Sequence, residues 1–322
     1  MNKIKESIVL IGGGGGVYRI AHFLKRIRSN ITTIQTTFDH GGHSGQLRDE
    51  RGVLPPGDIR QAILALADDK IEPTLRKLLS FRFEPQNGSS LDGVTMGNLF
   101  LTALTEITGS LPSAINTMCQ WYGVKGKVLP VSLDDADLCV ELNDGSIIKG
   151  EGNIDTRSID DDRTIVRAFL EPEAFIYTEA YQAIVNAQKI VFCPGDFFTS
   201  TIPNTLVNGF KDAIEETKAS LICIVNVMTK KAETDGFTAT DFARVLLKHI
   251  GCDNFDAILC NDPACISEAI IVKYSEEKAH PVVVNNDELS KFAERIIVRN
   301  FADQTGNIVR HNVKIASVIA SL

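Results

Sequence analysis

Residues 8 to 20 read IVLIGGGGGVYRI, with five glycines placed directly after a four-residue apolar run. Glycine loses more backbone freedom on folding than any other residue, so five in succession are costly for a mere turn. Something has to approach the backbone too closely for side chains to be allowed. Downstream, Val17, Ile20, His22, Phe23, Leu24 and Ile27 fit one side of a helix. The order strand, glycine turn, helix N-terminus is the context in which bare N–H groups and the helix dipole accept a phosphate. A dinucleotide fingerprint requires glycine at its first, third and sixth positions, and counting from Gly12 the sixth is Val17. No Gly-Lys-Ser/Thr tripeptide closes a Walker-type loop. A phosphate or sugar is therefore favoured over a standard NAD site, with a purely structural turn as the plain alternative.

Short β-branched runs recur at 7–11, 31–38, 189–193, 221–227 and 256–260, and stretches able to form helices separate most of them. Continuous apolar runs of this length suit strands covered on both faces. Alternation of strand and helix predicts parallel pairing through right-handed crossovers. The expected fold is α/β, a doubly wound Rossmann-like three-layer sandwich with a mostly parallel sheet. Residues 124–170 differ, because apolar and polar residues alternate there and Asn143-Asp144-Gly145 is a hairpin signal. They read as a small antiparallel excursion within one domain spanning 1–322, with 285–322 as a C-terminal extension packing on the body.

Charge removes one class of partner. With 33 Lys and Arg against 41 Asp and Glu, the formal charge is −8, and no broad basic surface exists for nucleic acid. No run approaches 18 apolar residues and the N-terminus lacks a signal-peptide core, which predicts a cytoplasmic chain without membrane insertion. The seven cysteines include no CxxC and read as reduced core residues.

Four further loops carry polar chemistry. The stretch FDHGGHSGQLRDERGVLPPGDIR (38–60) places Asp39 where a parallel strand should end, followed by Gly41, Gly42, Ser44 and Arg48. Asp39 there can hold a ribose hydroxyl or a magnesium that bridges phosphates, and the arginines offer bidentate phosphate clamps. Asp58 is equally a helix cap. His40 and His43 beside Asp39 invite a transition-metal triad, but the spacing is a weak signal. After the strand at 189–193 come Pro194, Gly195, Thr199, Ser200 and Asn204, with Pro203 placed to open a helix. Asn226, Thr229 and Glu233 follow the next strand, ahead of a helix capped near Thr238 or Thr240, and Gly97-Asn98 opens another. In an open parallel sheet the C-terminal ends of the strands face one crevice, so these loops are expected to converge on a single anionic ligand such as a nucleoside diphosphate sugar.

In the same order, the motifs IGGGGG, FDHGGHSGQLRDERGVLPPGDIR, GNLFLTALTEITG, CPGDFFTSTIPN and NVMTKKAETDGFTATD resemble those of the CofD-like superfamily. That superfamily contains 2-phospho-L-lactate transferase and the gluconeogenesis-factor (UPF0052) branch, which binds uridine-diphosphate sugars and is tied to cell shape regulation. The resemblance covers most of the first 260 residues. It implies that Gly12, Gly13, Gly14, Gly15 and Gly16, the Asp39–Arg48 loop, Asn98, the Pro194–Ser200 loop, and Asn226 with Thr229 line a nucleotide crevice. It also implies that Asp39 is the divalent-metal ligand of the transferase branch. His40 stands where that pattern has a second Asp and His43 where it has a Ser, and imidazole in place of a carboxylate weakens a magnesium site because hard cations prefer oxygen. Asp196 stands near the expected phosphates and calls for a cation between them.

Three functions are weighed on this basis. The first is a regulatory protein of central carbon and cell-envelope metabolism that binds a UDP-sugar such as UDP-N-acetylglucosamine without turnover. The second is a magnesium-dependent transferase moving a phospho-lactyl-type group to an acceptor hydroxyl, with Asp39 on the metal and Arg48 on the developing charge. The third is an NAD(P)-binding oxidoreductase. A homodimer is ordinary for such a fold.

Overall fold

The computed structural model describes residues 6–28, 30–39, 54–70, 72–84, 92–306 and 308–322. A seven-stranded sheet forms its centre, in the order β10-β9-β8-β7-β1-β2-β3. These strands are β1 (Ile8–Gly12), β2 (Ile31–Gln35), β3 (Lys127–Pro130), β7 (Lys189–Phe192), β8 (Ser220–Ile224), β9 (Phe255–Asn261) and β10 (Ala293–Arg299). Every pairing between them is parallel. The expected doubly wound α/β class is what the chain adopts.

Alternation along β1 shows why its apolar run is unbroken. Ile8 and Leu10 pack into one buried cluster with the helices Gly14–Leu24 (α1) and Gly57–Leu66. Val9 and Ile11 face the other, with Ile34, Phe192 and the helix Ala239–Ile250. Both faces are covered, so neither register of residues can be polar. Among the helix ends read from sequence, Thr238 caps Ala239–Ile250 in a reciprocal box with Asp241.

Two boundaries differ from the sequence reading. The excursion expected over 124–170 starts with β3, which instead pairs parallel with β2 at the sheet edge. Only β4 (Asp137–Leu142), β5 (Ile147–Lys149) and β6 (Ile165–Glu171) form the separate antiparallel sheet, turned at Gly145. Val128 and Leu129 are buried, and four residues cannot show whether a neighbour runs parallel or antiparallel. The segment expected as an extension supplies the opposite edge strand, β10, whose alternation is blurred by its half-buried Ile296, Ile297 and Val298. It then forms a hairpin, β11 (Ala302–Thr305) and β12 (Ile308–His311), and ends in the helix Lys314–Ser321 against α1.

Strand order reverses between β1 and β7: the chain builds outward from β1 to β3 on one side, then from β7 to β10 on the other. That reversal opens a crevice at the carboxyl ends of the central strands, the usual position for a ligand in such sheets. The glycine run leaves β1 there, and Pro194-Gly195 leaves β7 beside it.

Candidate functional site

The glycines separate into two roles. A Cβ on Gly13 would lie 2.1 Å from Asp58 Oδ2, and one on Gly16 would lie 1.6 Å from the Pro194 carbonyl oxygen. Gly14 has φ +57, a conformation side chains rarely adopt. All three are required by the protein itself: Gly13 and Gly16 by the close approach of Asp58 and Pro194, and Gly14 by its backbone conformation. Gly15 is different: a Cβ there meets nothing within 4 Å, because this residue faces the open crevice. Helix geometry leaves the N–H groups of Gly15 and Gly16 without an intrahelical acceptor at that border.

Asp58 does not cap its own helix. Its Oδ1 accepts the Gly14 N–H at 2.8 Å, capping α1 from 44 positions away. Burial, and then the Asp39 carboxylate, push the Asp58 carboxyl from 3.8 up to about 7, against the lowering effect of that N–H. The folded state therefore holds this proton more tightly than the unfolded chain. The stabilisation is complete below about pH 4 and is lost, by about 1.4 kcal/mol per pH unit, as pH rises towards about 7. Asp58→Asn keeps an oxygen for Gly14, and it is expected to flatten this slope in Tm measured between about pH 5 and about pH 8. An unchanged difference in Tm from the parent across that range would show that Asp58 is already charged when folded.

The crevice encloses about 520 Å3 and is lined by Gly13, Gly14, Gly15, Gly16, Pro194, Gly195, Ser200 and Asn226 among the residues expected from sequence. A second lobe of about 400 Å3 shares Asp196, Asn226, Met228 and Tyr274 with the first, and Thr229 lies on its wall. Asn226 ties the two loops together: its Nδ2 donates to the Gly195 carbonyl at 2.8 Å and its Oδ1 accepts the Gly195 N–H. Thr229 is anchored to His280 through both its N–H and its hydroxyl.

Other expected residues stand back from the wall. Asn204 is fully buried and its Nδ2 donates to the carbonyls of Gly12 and Ser200, holding the turn from beneath. Gly12 closes β1, while Thr199 and Asn98 are buried and do not border the described crevice. Gly41, Gly42, Ser44 and Arg48, with His40 and His43, lie outside the described residues.

Asp39 joins an acidic bank. Glu151, at the start of the short helix Glu151–Asp155, donates a hydrogen bond to it, and burial together with the Asp39 charge holds the Glu151 carboxyl far above its ordinary value. Asp58 and Asp155 add to the same field. Asp196 has the cation its position calls for, since Lys230 Nζ lies 3.1 Å from its Oδ1.

The opposite bank is cationic, and sequence reasoning missed it. Arg76 stacks over the Tyr18 ring with its guanidinium carbon 4.1 Å from the centroid. Arg310, on β12, faces the same space. The two lie close enough for the Arg310 charge, after burial, to pull the Arg76 pKa down. Arg19 fixes the hairpin in place by donating from Nε to the His311 carbonyl at 2.8 Å and pairing with Asp303 at 3.0 Å. His311 in turn bonds the Val225 carbonyl at 3.1 Å, and burial holds its imidazole neutral with a pKa near 4. Tyr274 completes this side, accepting the Val309 N–H through its hydroxyl. The turn glycine Gly306 was the available hairpin signal, whereas Arg76 sits in a helix with no distinguishing motif.

Comparisons with known proteins give the chain its relatives. The family model described as 2-phospho-L-lactate transferase CofD matches residues 8–302. Gluconeogenesis factors of Halalkalibacterium halodurans and Bacillus subtilis are 38% and 36% identical, covering 96% and 99% of this chain and 93% and 98% of those proteins. A relative from Clostridium acetobutylicum is 40% identical over 306 residues, and the chain spans 66% of its length. The crystal structure of a UPF0052-family protein of Bacillus halodurans superposes with a TM-score of 0.90 at 37% identity, covering 98% of this chain and 99% of that one. Among the described residues, no helix is long and apolar enough to cross a membrane. With 295 consecutive positions matched by the family model and near-complete alignment to gluconeogenesis factors, the chain belongs to the CofD family.

Proposed function

We propose that the crevice binds a nucleoside diphosphate sugar, of the UDP-N-acetylglucosamine kind, and that the protein is a cytoplasmic regulatory binder in central carbon and cell-envelope metabolism. One observation carries this reading: Gly15 and Gly16, in the first turn of α1, line the same space as Arg76 and Arg310. Backbone donors and guanidinium forks on one anion are a diphosphate-binding arrangement. The two connected lobes supply separate room for the nucleoside and the sugar. The names of the relatives support the regulatory side of the proposal.

A second reading, the transferase, has its own support in the acidic bank. Asp39 and Glu151 bring carboxylate oxygens together, a hard donor set that fits magnesium, although Asp58 is already committed to Gly14. Magnesium bound there would neutralise the nucleoside monophosphate that leaves when the phospho-lactyl group moves to the acceptor hydroxyl. To bind it, Glu151 would have to give up the proton it shares with Asp39.

A thermal-shift titration with UDP-N-acetylglucosamine, UDP-glucose, GDP and NADP, each with and without magnesium, tests the proposal. Ligand at about 100 times its Kd should stabilise by about 2.7 kcal/mol. Shifts with the UDP-sugars that ignore magnesium are expected. Stabilisation that requires magnesium and prefers GDP would favour the transferase, and a response to NADP alone would overturn both.

A further inference from the structure

The side chain of Lys230 sits among three carboxylates drawn from three separate segments. Its Nζ donates to Asp155 at the end of the Glu151–Asp155 helix, and it forms ion pairs with Asp196 in the loop after β7 at 3.1 Å and with Glu233 in the loop after β8 at 2.7 Å. One oxygen from each of the three acids lies within 4.8 Å of the others, a spacing that also suits a metal ion. Glu233 is only 4% exposed, and a buried carboxylate needs a partner. Its second oxygen accepts the Phe198 N–H at 3.0 Å, so the same residue anchors the loop that carries Pro194, Gly195 and Ser200 along the crevice. Burial works against the lysine's charge, but Glu233 and Asp196 outweigh it and hold the ammonium charged. The neighbouring Lys231 cannot substitute, since it is committed to Asp162 and Asp235.

We propose that Lys230 is a positioning residue that stands where a divalent cation would otherwise be needed, holding the Pro194–Ser200 wall and offsetting the acidic bank so that a diphosphate can enter without an ion at this trio. Its ammonium faces the three carboxylates, while its side chain borders the second lobe. Its effect on nucleotide affinity rests on the binding function proposed above, whereas the occupancy of the trio does not.

The test compares the parent protein with Lys230→Met, Lys230→Arg and the double variant Lys230→Met/Glu233→Gln. Bound manganese is counted by electron paramagnetic resonance, and UDP-N-acetylglucosamine affinity is measured in EDTA and in manganese. Lys230→Met is expected to take up one manganese ion per chain more than the parent, and the double variant to lose it. Affinity for the nucleotide sugar should fall at least about tenfold in Lys230→Met in EDTA and return with manganese. Lys230→Arg should stay close to the parent, and the parent should be indifferent to EDTA. Equal manganese counts in the parent and Lys230→Met would overturn the proposal, as would an affinity loss that manganese fails to repair. If Lys230→Met folds only with manganese present, the substitution of one cation by the other is directly shown; if only Lys230→Arg restores folding, the idea fails. Absence of nucleotide-sugar binding in every variant, with the extra manganese still seen, would count against the function proposed above and not against the role of Lys230.

Discussion

Replacing Gly16 with alanine is expected to destabilise the protein by at least about 3 kcal/mol, a large part of the stability of an ordinary domain. The new methyl would lie 1.6 Å from the Pro194 carbonyl oxygen and 2.6 Å from its carbon, and backbone cannot swing aside as a flexible side chain can. Relief requires the β1 turn and the β7 loop to separate, which breaks the contact at the strand-order reversal. Gly15→Ala, one position earlier, should behave in the opposite way. Its methyl meets nothing, and alanine is favoured over glycine in a helix by about 1 kcal/mol, so the fold is preserved or slightly stabilised. The methyl does project into the crevice, and ligand affinity should fall. Urea unfolding read beside nucleotide-sugar titration separates the two outcomes. Equal stabilities for the two variants would mean that the glycine run is a uniform turn and not a contact surface with one open position.

The second large effect is expected from Arg310→Ala. Arg310 lies on the exposed side of β12, makes no ion pair among the described residues, and is presented to the crevice by a hairpin held through Arg19, Asp303 and His311. Truncation should leave Tm within about 1 °C, since surface substitutions of this kind change stability by less than about 0.5 kcal/mol. Loss of a charge-assisted bond to a phosphate is worth about 1.5–3 kcal/mol, so affinity should drop about 10- to 100-fold. Arg310→Lys should recover only part of it, because a lysine offers a point charge where the guanidinium offers a fork. Unchanged affinity in Arg310→Ala would remove the cationic bank from the binding site.

The parallel sheet was legible because each central strand is covered on both faces, which forces continuous apolar runs such as Ile8–Ile11. The glycine run, Pro194-Gly195 and Asn226 were legible for a related reason: backbone that must approach other backbone leaves a mark in residue type. What sequence concealed is what the fold assembles from a distance. Asp58 looks like a local cap and serves a helix 44 residues earlier. Arg76, Arg310 and Tyr274 belong to ordinary-looking segments that meet only when the C-terminal hairpin folds back over α1. Lys230 lay inside a recognised motif, yet its meaning depends on Asp155 and Asp196, which no spacing connects to it. The edge strands β3 and β10 were misjudged because one is too short, and the other too weakly patterned, to declare its partner.

On this reading a diphosphate lies between the start of α1 and the two arginines. Diffraction from crystals grown with saturating UDP-N-acetylglucosamine tests it most directly. The account predicts diphosphate density within hydrogen-bond reach of the Gly15 and Gly16 N–H groups, with Arg310 turned onto it and the nucleoside and sugar in the two connected lobes. Density for the nucleotide elsewhere, such as the separate cavity of about 590 Å3 beside Lys211 and His249, or an empty crevice at saturating ligand, would contradict it.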